Sequence, residues 1–391
     1  MRRGATWWSL LVLHAVLVHG LTQVLRPTTS YRALELGVSP AWLGVVAASF
    51  ALAPLFVAVL VSRSTDRRGT RPVLLAGSAL MAVATVGFAL AATSLAWLVL
   101  WSAVLGLGHL LAMVGGQALV AHTAAPGRYD SAFGYYALGA SLGQALGPGM
   151  VVLLTGSAVL PDTGRIFTAA ALLAGGLVVA TLALPSEARE SGARAPVRAS
   201  FAQALRVPSL GRAVLASLVV LAAVDLLVIY LPALGVERGI AASTIGMLLV
   251  VRAIASMASR AMLGLLVARF GRGRVLTGSI GASALALTTV PLPMPVWAAV
   301  VAMAAAGLAL GVGQPLTMAW VAQAAPPHVR ATALALRLTG NRIGQTVLPA
   351  TVGLVAAGAG AAGVLWTTAA TLGAVAVTTA RGSTGSTSEP T

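Results

Sequence analysis

Apolar runs of about twenty residues follow one another along nearly the whole chain, separated by short clusters of charge, proline and glycine. An α-helix rises about 1.5 Å per residue, so roughly 20 apolar residues cross the ~30 Å hydrocarbon layer of a bilayer. The pattern predicts twelve membrane-spanning helices, at 6–24, 41–61, 72–91, 96–121, 131–154, 166–184, 212–231, 244–267, 275–290, 296–321, 331–356 and 361–379. The expected class is an all-α integral membrane protein.

Composition agrees with that pattern. Of 391 residues, 58% are apolar and 9% charged, a balance that no soluble domain of this size needs to fill its core. The 43 glycines would weaken soluble helices, but in membranes glycine lets helices approach closely. Arg2 and Arg3 followed by an apolar stretch have the outline of a secretory signal; with no convincing small-residue cleavage site and many spans downstream, the stretch is read as the first helix.

The net charge of +16 comes entirely from arginine among the basic residues, and these fall in the short gaps rather than in one nucleic-acid-binding stripe. Counting alternate gaps places 17 arginines on the side of the termini and 4 on the other (Arg26, Arg32, Arg165 and Arg238), with the remaining 4 inside spans. By the positive-inside rule both termini are expected in the cytoplasm, in a multi-pass protein of the cytoplasmic membrane. There is no cysteine, hence no disulfide, thiolate nucleophile or cysteine metal site.

The expected organisation is a six-helix bundle at 1–184, a cytoplasmic linker at 185–210 rich in Ser, Gly, Ala and Pro, a second six-helix bundle at 211–380, and a disordered cytoplasmic tail at 381–391. The two bundles look like copies of each other. Asp66-Arg67-Arg68-Gly69 aligns with Ala268-Arg269-Phe270-Gly271, Ala125-Pro126 with Ala325-Pro326, and Gly143-Gln144 with Pro148 with Gly344-Gln345 with Pro349, all at separations of 200 to 202 residues. A duplicated six-helix unit explains one register shared by three landmarks.

At these residues the chain resembles the major facilitator superfamily. The resemblance covers nearly the whole length. The family's signature between helices two and three survives as Asp66, Arg67, Gly69 and Arg71, with Ser62 for its first glycine and Thr70 at one basic position; the second copy reads Gly264, Arg269, Gly271 and Arg272, with Ala268 in place of the acid. The resemblance implies a cytoplasmic gate there, and an acid near a helix N-terminus is a physically reasonable latch; the alternative is that these arginines only set orientation. The fifth span carries Gly139, Gly143, Gly147 and Pro148, similar to the motif that the family's antiporters place there, although Val151 and Val152 replace a later glycine pair. Close helix packing accounts for the same residues. Gly106-Leu107-Gly108 fits the family's fourth helix, but Ser102 stands where its drug antiporters have arginine.

Charges within a bilayer cost several kcal/mol unless paired or wetted, so they point to a pathway. Asp225 is the one acid in the middle of a predicted span, and Arg252 of the next span lies at similar depth. Either the two form a proton-coupling site, or they form a static salt bridge tying two helices together. Arg252, Ser256 and Arg260 share one face of the eighth span, and Arg337, Asn341 and Gln345 one face of the eleventh. Arg342 is turned 140° from Arg337, so the two are not expected to face the same cavity. From the first half, the resemblance implies that the first and fourth spans line the cavity, with His19, Gln23, His109, Met113 and Gln117. Histidines packed by hydrogen bonds are the competing reading, and His14 and His19 lie too far apart around their helix to hold a metal together.

There is no phosphate-cradling or zinc motif, so neither an enzyme nor an ATP-driven pump is expected, and no cofactor. Taken together, the residues and the resemblance predict a monomeric secondary transporter of a small organic solute, proton-coupled and working by alternating access. Efflux antiport, uptake of an organic anion and a non-transporting sensor on the same scaffold remain the alternatives, the surplus of buried arginine favouring an anionic partner.

Overall fold

The computed structural model describes residues 2–124, 129–184, 201–207, 210–326 and 329–383, giving the backbone alone for 2–7, 58–68, 129–130, 201–202, 331 and 382–383. Of the expected linker, 185–200 lies outside the described residues, as do 384–391 of the tail and the landmark Ala125-Pro126. Residues Phe201–Leu205 form a short helix, and the last long helix runs through Arg381 to Ser383.

In lipid each backbone N–H and C=O must find its partner within its own segment, so apolar runs become helices. The first half contains α1 (Arg2–Glu35), α2 (Leu43–Arg68), α3 (Thr70–Ala91), α4 (Leu95–Thr123), α5 (Tyr129–Thr155) and α6 (Thr163–Ala183). The second contains α7 (Leu210–Glu237), α8 (Ala242–Ala261, continued by Leu263–Phe270), α9 (Arg272–Thr289), α10 (Val296–Gly311, continued by Gly313–Ala324), α11 (Arg330–Val352) and α12 (Ala356–Ser383). Ten stretches of the described residues are long and apolar enough to cross a membrane; the last, Thr332–Arg381, holds both α11 and α12, and the arginine-headed α9 falls below the threshold. The chain is a multi-pass membrane protein.

The duplication read from sequence is visible in the packing. Within the first half α1 packs on α5 and α6, α2 on α4, and α3 on α4 and α6; within the second α7 packs on α11 and α12, α8 on α10, and α9 on α10 and α12. Each contact is reproduced six helices later. The turns agree too: Gly69 before α3 and Gly271 before α9 have φ of 85° and 78°, a backbone region open only to glycine at little cost.

The halves meet through α2 with α11, α5 with α8, and α1 with α7. The closest approaches lie at the end remote from the termini, called here the far end. Gly44 of α2 faces the carbonyl of Pro349 on α11 and the Cα of Gly353 just after it, and Gly246 of α8 faces the carbonyl of Pro148 and Val152 on α5. Neither glycine has room for a Cβ. The two contacts are counterparts under the duplication, so one seal is made twice. Trp42, Trp97 and Trp297, all exposed near the far end, sit where amphipathic rings anchor to a membrane interface.

Toward the end carrying the termini, the facing surfaces open. On α4, His109 is buried, Met113 half-buried and Gln117 exposed; on α5, Ser141 is buried but Leu138 and Gly134 are exposed; on α8, Arg252 is buried and Arg260 exposed. The interface is closed at the far end and widens toward the termini.

Candidate functional site

The first helix is longer than its apolar run predicts. It continues past residue 24 through Pro27 to Glu35, and the polar stretch that reads as a loop is absorbed by the helix itself: Thr28 Oγ1 donates to Val24 O and Thr29 Oγ1 to Leu25 O, both at 2.7 Å. Hydroxyls that bond back to their own helix carry little cost in an apolar setting. The consequence is that Arg26 lies inside the membrane-spanning helix, 8% exposed, rather than in the outer gap.

Arg26, not Arg252, is the ion partner of Asp225. The Arg26 Nη1 donates to Asp225 Oδ1, and Gln345 Nε2 donates to Asp225 Oδ2 at 2.6 Å. The expected Asp225–Arg252 pair is therefore corrected: Arg252 is within electrostatic reach of Asp225, Arg26 and Arg260, but its Nε and Nη2 are buried without a hydrogen-bond partner among the described residues. Arg26 won the carboxylate because α1 and α7 cross at this depth. Its guanidinium also lies over the Phe50 ring, 4.8 Å from the centroid.

Arg342 extends the cluster, its Nη1 donating to Gln345 Oε1 at 3.1 Å. From the first half come His19 and His109, with ring centroids 5.2 Å apart, and His109 also packs against Phe50 at 5.6 Å. Gln23, one turn from His19, is half-buried with its Oε1 unpaired. The α5 glycine row fixes this wall: Gly139, Gly143 and Gly147 lie against the α1 carbonyls of Val12, Val16 and Gly20, so close that a Cβ at any of them would collide. The row thereby sets where His19 and Gln23 stand.

Several residues expected in the cavity are turned elsewhere. Arg337 donates to Gln314 O at 2.8 Å, Gln314 Oε1 at 2.7 Å and Thr317 Oγ1 at 2.9 Å, and Asn341 Nδ2 to Gln314 Oε1 at 3.2 Å. Gln314 Nε2 in turn donates to Ser217 O at 2.8 Å. Gln314, not singled out in the sequence, is thus a hub joining α7, α10 and α11 at the break in α10. The angular offset between Arg337 and Arg342 is real, but it is Arg342 that faces the centre. Ser256 donates to Gly307 O at 2.9 Å, within its own half, while Arg260 reaches Gly311 O at 3.0 Å and, across the interface, Ser141 Oγ at 3.3 Å.

Of the gate motif, the side chains of Asp66 and Arg67 lie outside the described residues. Arg71 Nη2 donates to Leu182 O at 3.3 Å, at the end of α6, and Arg272 Nη1 to Gln323 Oε1, at the end of α10. Both contacts stay within one half. Arg269 lies over its neighbour Phe270, 5.6 Å from the ring centroid, and Gly264 meets nothing nearby. Among the described residues no three His, Cys, Asp or Glu side chains gather as metal ligands would.

Each half is also stapled at the far end by an acid and an arginine. In the first, Glu35 accepts from Thr163 N (3.3 Å) and Thr163 Oγ1 (2.5 Å) at the start of α6, and Arg32 Nε donates to Ala92 O (2.8 Å) after α3. In the second, Glu237 accepts from Ala361 N (2.9 Å) at the bend of α12, and Arg238 donates to Leu292 O (3.0 Å) and Pro291 O after α9. Carboxylates satisfy free N–H groups at helix starts and arginines the carbonyls at helix ends.

Two pseudo-symmetric six-helix bundles around a buried charged cluster, sealed at one end and open at the other, define a membrane transporter rather than an enzyme. The chain belongs to the Major Facilitator Superfamily, whose model matches residues 11–241 and 213–387. No curated protein matches it in sequence. Among solved structures it is similar to the nucleoside transporter NupG (17% identity, TM-score 0.77, 96% of this chain and 98% of that one). It is also similar to the inward-open xylose transporter XylE from E. coli (15%, TM-score 0.74, 96% and 95%). A third is an inward-facing, occupied bacterial homolog of the human lysosomal transporter Spinster (16%, TM-score 0.71, 97% of each chain). At these identities the likeness concerns the fold.

Proposed function

We propose that this chain is a proton-coupled secondary transporter of a small organic solute, working by alternating access in the cytoplasmic membrane with both termini in the cytoplasm. The observation that carries the reading is Asp225, the acid at the centre of the described core, which binds Arg26 of one half and Gln345 of its own. Asp225 ionised holds α7 to α1 across the interface near the sealed far end. Protonated, it loses that ion pair, and the state open at the far end gains relative to the sealed one. Proton binding and opening are then one linked equilibrium.

On this reading the arginine-rich side of the termini is cytoplasmic, which makes the state described inward-facing. In the opposite state Asp66 and the neighbouring arginines latch the near end. The fold encloses its own cavity, so a monomer suffices.

The test is reconstitution in liposomes with an internal pH dye, with Asp225→Asn beside the wild type. Substrate-dependent proton flux that falls at least ten-fold in the mutant, while substrate exchange persists, is the expected result. Substrate movement without proton flux, unchanged in the mutant, sinks the coupling role and leaves Asp225 as a structural partner of Arg26.

A further inference from the structure

The central cluster is unbalanced. Arg26, Arg252 and Arg342 surround a single carboxylate, Asp225, and Arg260 stands at the rim toward the open end. Asp225 takes Arg26 Nη1 and Gln345 Nε2, so its two oxygens are engaged; of Arg26 only Nε is buried without a partner among the described residues. Arg342 is held by Gln345, and Arg260 by Gly311 and Ser141. Arg252 is left. It is 2% exposed, with Nε and Nη2 unpartnered among the described residues, on the helix face that leads to the open end through Arg260.

Guanidinium N–H groups left without an acceptor in a low-dielectric site are costly, and the contact of α8 with Gly307 of α10 is made by the Arg252 backbone carbonyl. The facing wall of His19, Gln23 and His109 carries no charge that could serve as a standing counter-ion. Among the described residues no acceptor reaches these two nitrogens, the unpaired oxygen on the facing wall being the neutral Gln23 Oε1, and a planar fork of N–H donors fits the paired oxygens of a carboxylate or phosphate.

We infer that the transported solute is an oxyanion, a small organic molecule bearing a carboxylate or phosphate, and that the unpartnered Arg252 guanidinium is its anchor, with Arg260 guiding it in from the near end. The inference rests on the transporter reading above and names its substrate class. Asp225 and Arg26 form the coupling pair beside it, so a proton entering on Asp225 leaves Arg26 as a further positive charge for the anion.

The experiment uses the purified full chain in detergent and reads thermal unfolding, without ligand and with matched pairs: benzoate and benzamide, gluconate and glucose, uridine monophosphate and uridine. Arg252→Gln is expected to raise the ligand-free unfolding temperature, by roughly 2–4 °C, because it removes an unpaired buried charge. At least one oxyanion should stabilise the wild type where its neutral partner does not, with an apparent affinity at least ten-fold weaker in Arg252→Gln and partly restored in Arg252→Lys. A lowered ligand-free unfolding temperature in Arg252→Gln would show a structural role and overturn the inference. So would a series in which no oxyanion outperforms its neutral partner. Substrate movement without proton flux in the liposome assay above, with anion binding intact here, would defeat the proton reading and leave the substrate class standing.

Discussion

The two halves share a scaffold and differ in their chemistry. Helix contacts, the Gly69 and Gly271 turns, the Glu35 and Glu237 staples and the Gly44 and Gly246 seals all recur after the duplication. The central positions do not. At the separation of 202 residues that relates Glu35 to Glu237, Gln23 is the counterpart of Asp225 and Phe50 the counterpart of Arg252. The first half offers neutral amide, imidazole, an aromatic face and one arginine, Arg26; the second offers the carboxylate and Arg252, Arg260 and Arg342. What the bundle needs to stand and to close was kept in both copies, whereas most of the central charge, and its one carboxylate, lies in the second. A single carboxylate shared between halves responds to one proton, and two facing carboxylates would have repelled each other.

The largest expected effect comes from breaking the symmetric seals. Gly44→Leu together with Gly246→Leu should prevent closure at the far end and move most of the population to the far-end-open state, read as a long distance between spin labels at Trp42 and Trp297. Either substitution alone should do about half as well if the two seals are equivalent. Next, Arg26→Gln leaves Asp225 buried without its ion partner and should cost about 3 kcal/mol of stability, whereas Arg26→Gln with Asp225→Asn should recover most of it. Recovery near zero in that double-mutant cycle would mean that the pair is not coupled. Gln314→Leu removes the side-chain acceptor shared by Arg337 and Asn341, leaving Arg337 its bonds to the residue-314 carbonyl and Thr317, and should cost about 2 kcal/mol, an effect confined to the second half. Smallest are the staples: Glu35→Gln and Glu237→Gln should each cost about 1 kcal/mol in thermal unfolding, and unequal losses would show that the halves are not stapled alike.

The scaffold was legible in the sequence because it is written in apolar run length and in rare residues kept in register, such as Pro148 with Pro349 and Gly69 with Gly271. Asp225 was legible as an acid with apolar neighbours on both sides. Its partner was not: Arg26 is followed by Pro27 and a run of hydroxyl residues, the composition of a loop, and only the back-bonding of Thr28 and Thr29 reveals a helix there. Arg342 and Arg337 could be separated by helical angle, but which of them faces the centre depends on the break in α10, where Gln314 captures Arg337. Arg252 was found for its depth and given the wrong neighbour, since depth does not say which helices cross.

The interruptions of α8 at Met262 and of α10 at Val312 fall in one half only; their counterparts α2, which carries Pro54, and α4 are each one continuous helix. Met262 and Val312 keep right-handed dihedrals, and the bonds Met262 N to Ala258 O, Leu266 N to Met262 O and Leu316 N to Val312 O continue through them, so these are slight bends rather than ends. The segments beyond the two bends, Leu263–Phe270 and Gly313–Ala324, form the second half's share of the mouth at the end carrying the termini. In the alternating-access reading proposed above, these two segments are where the second half's rim can give way while each bundle moves as a body.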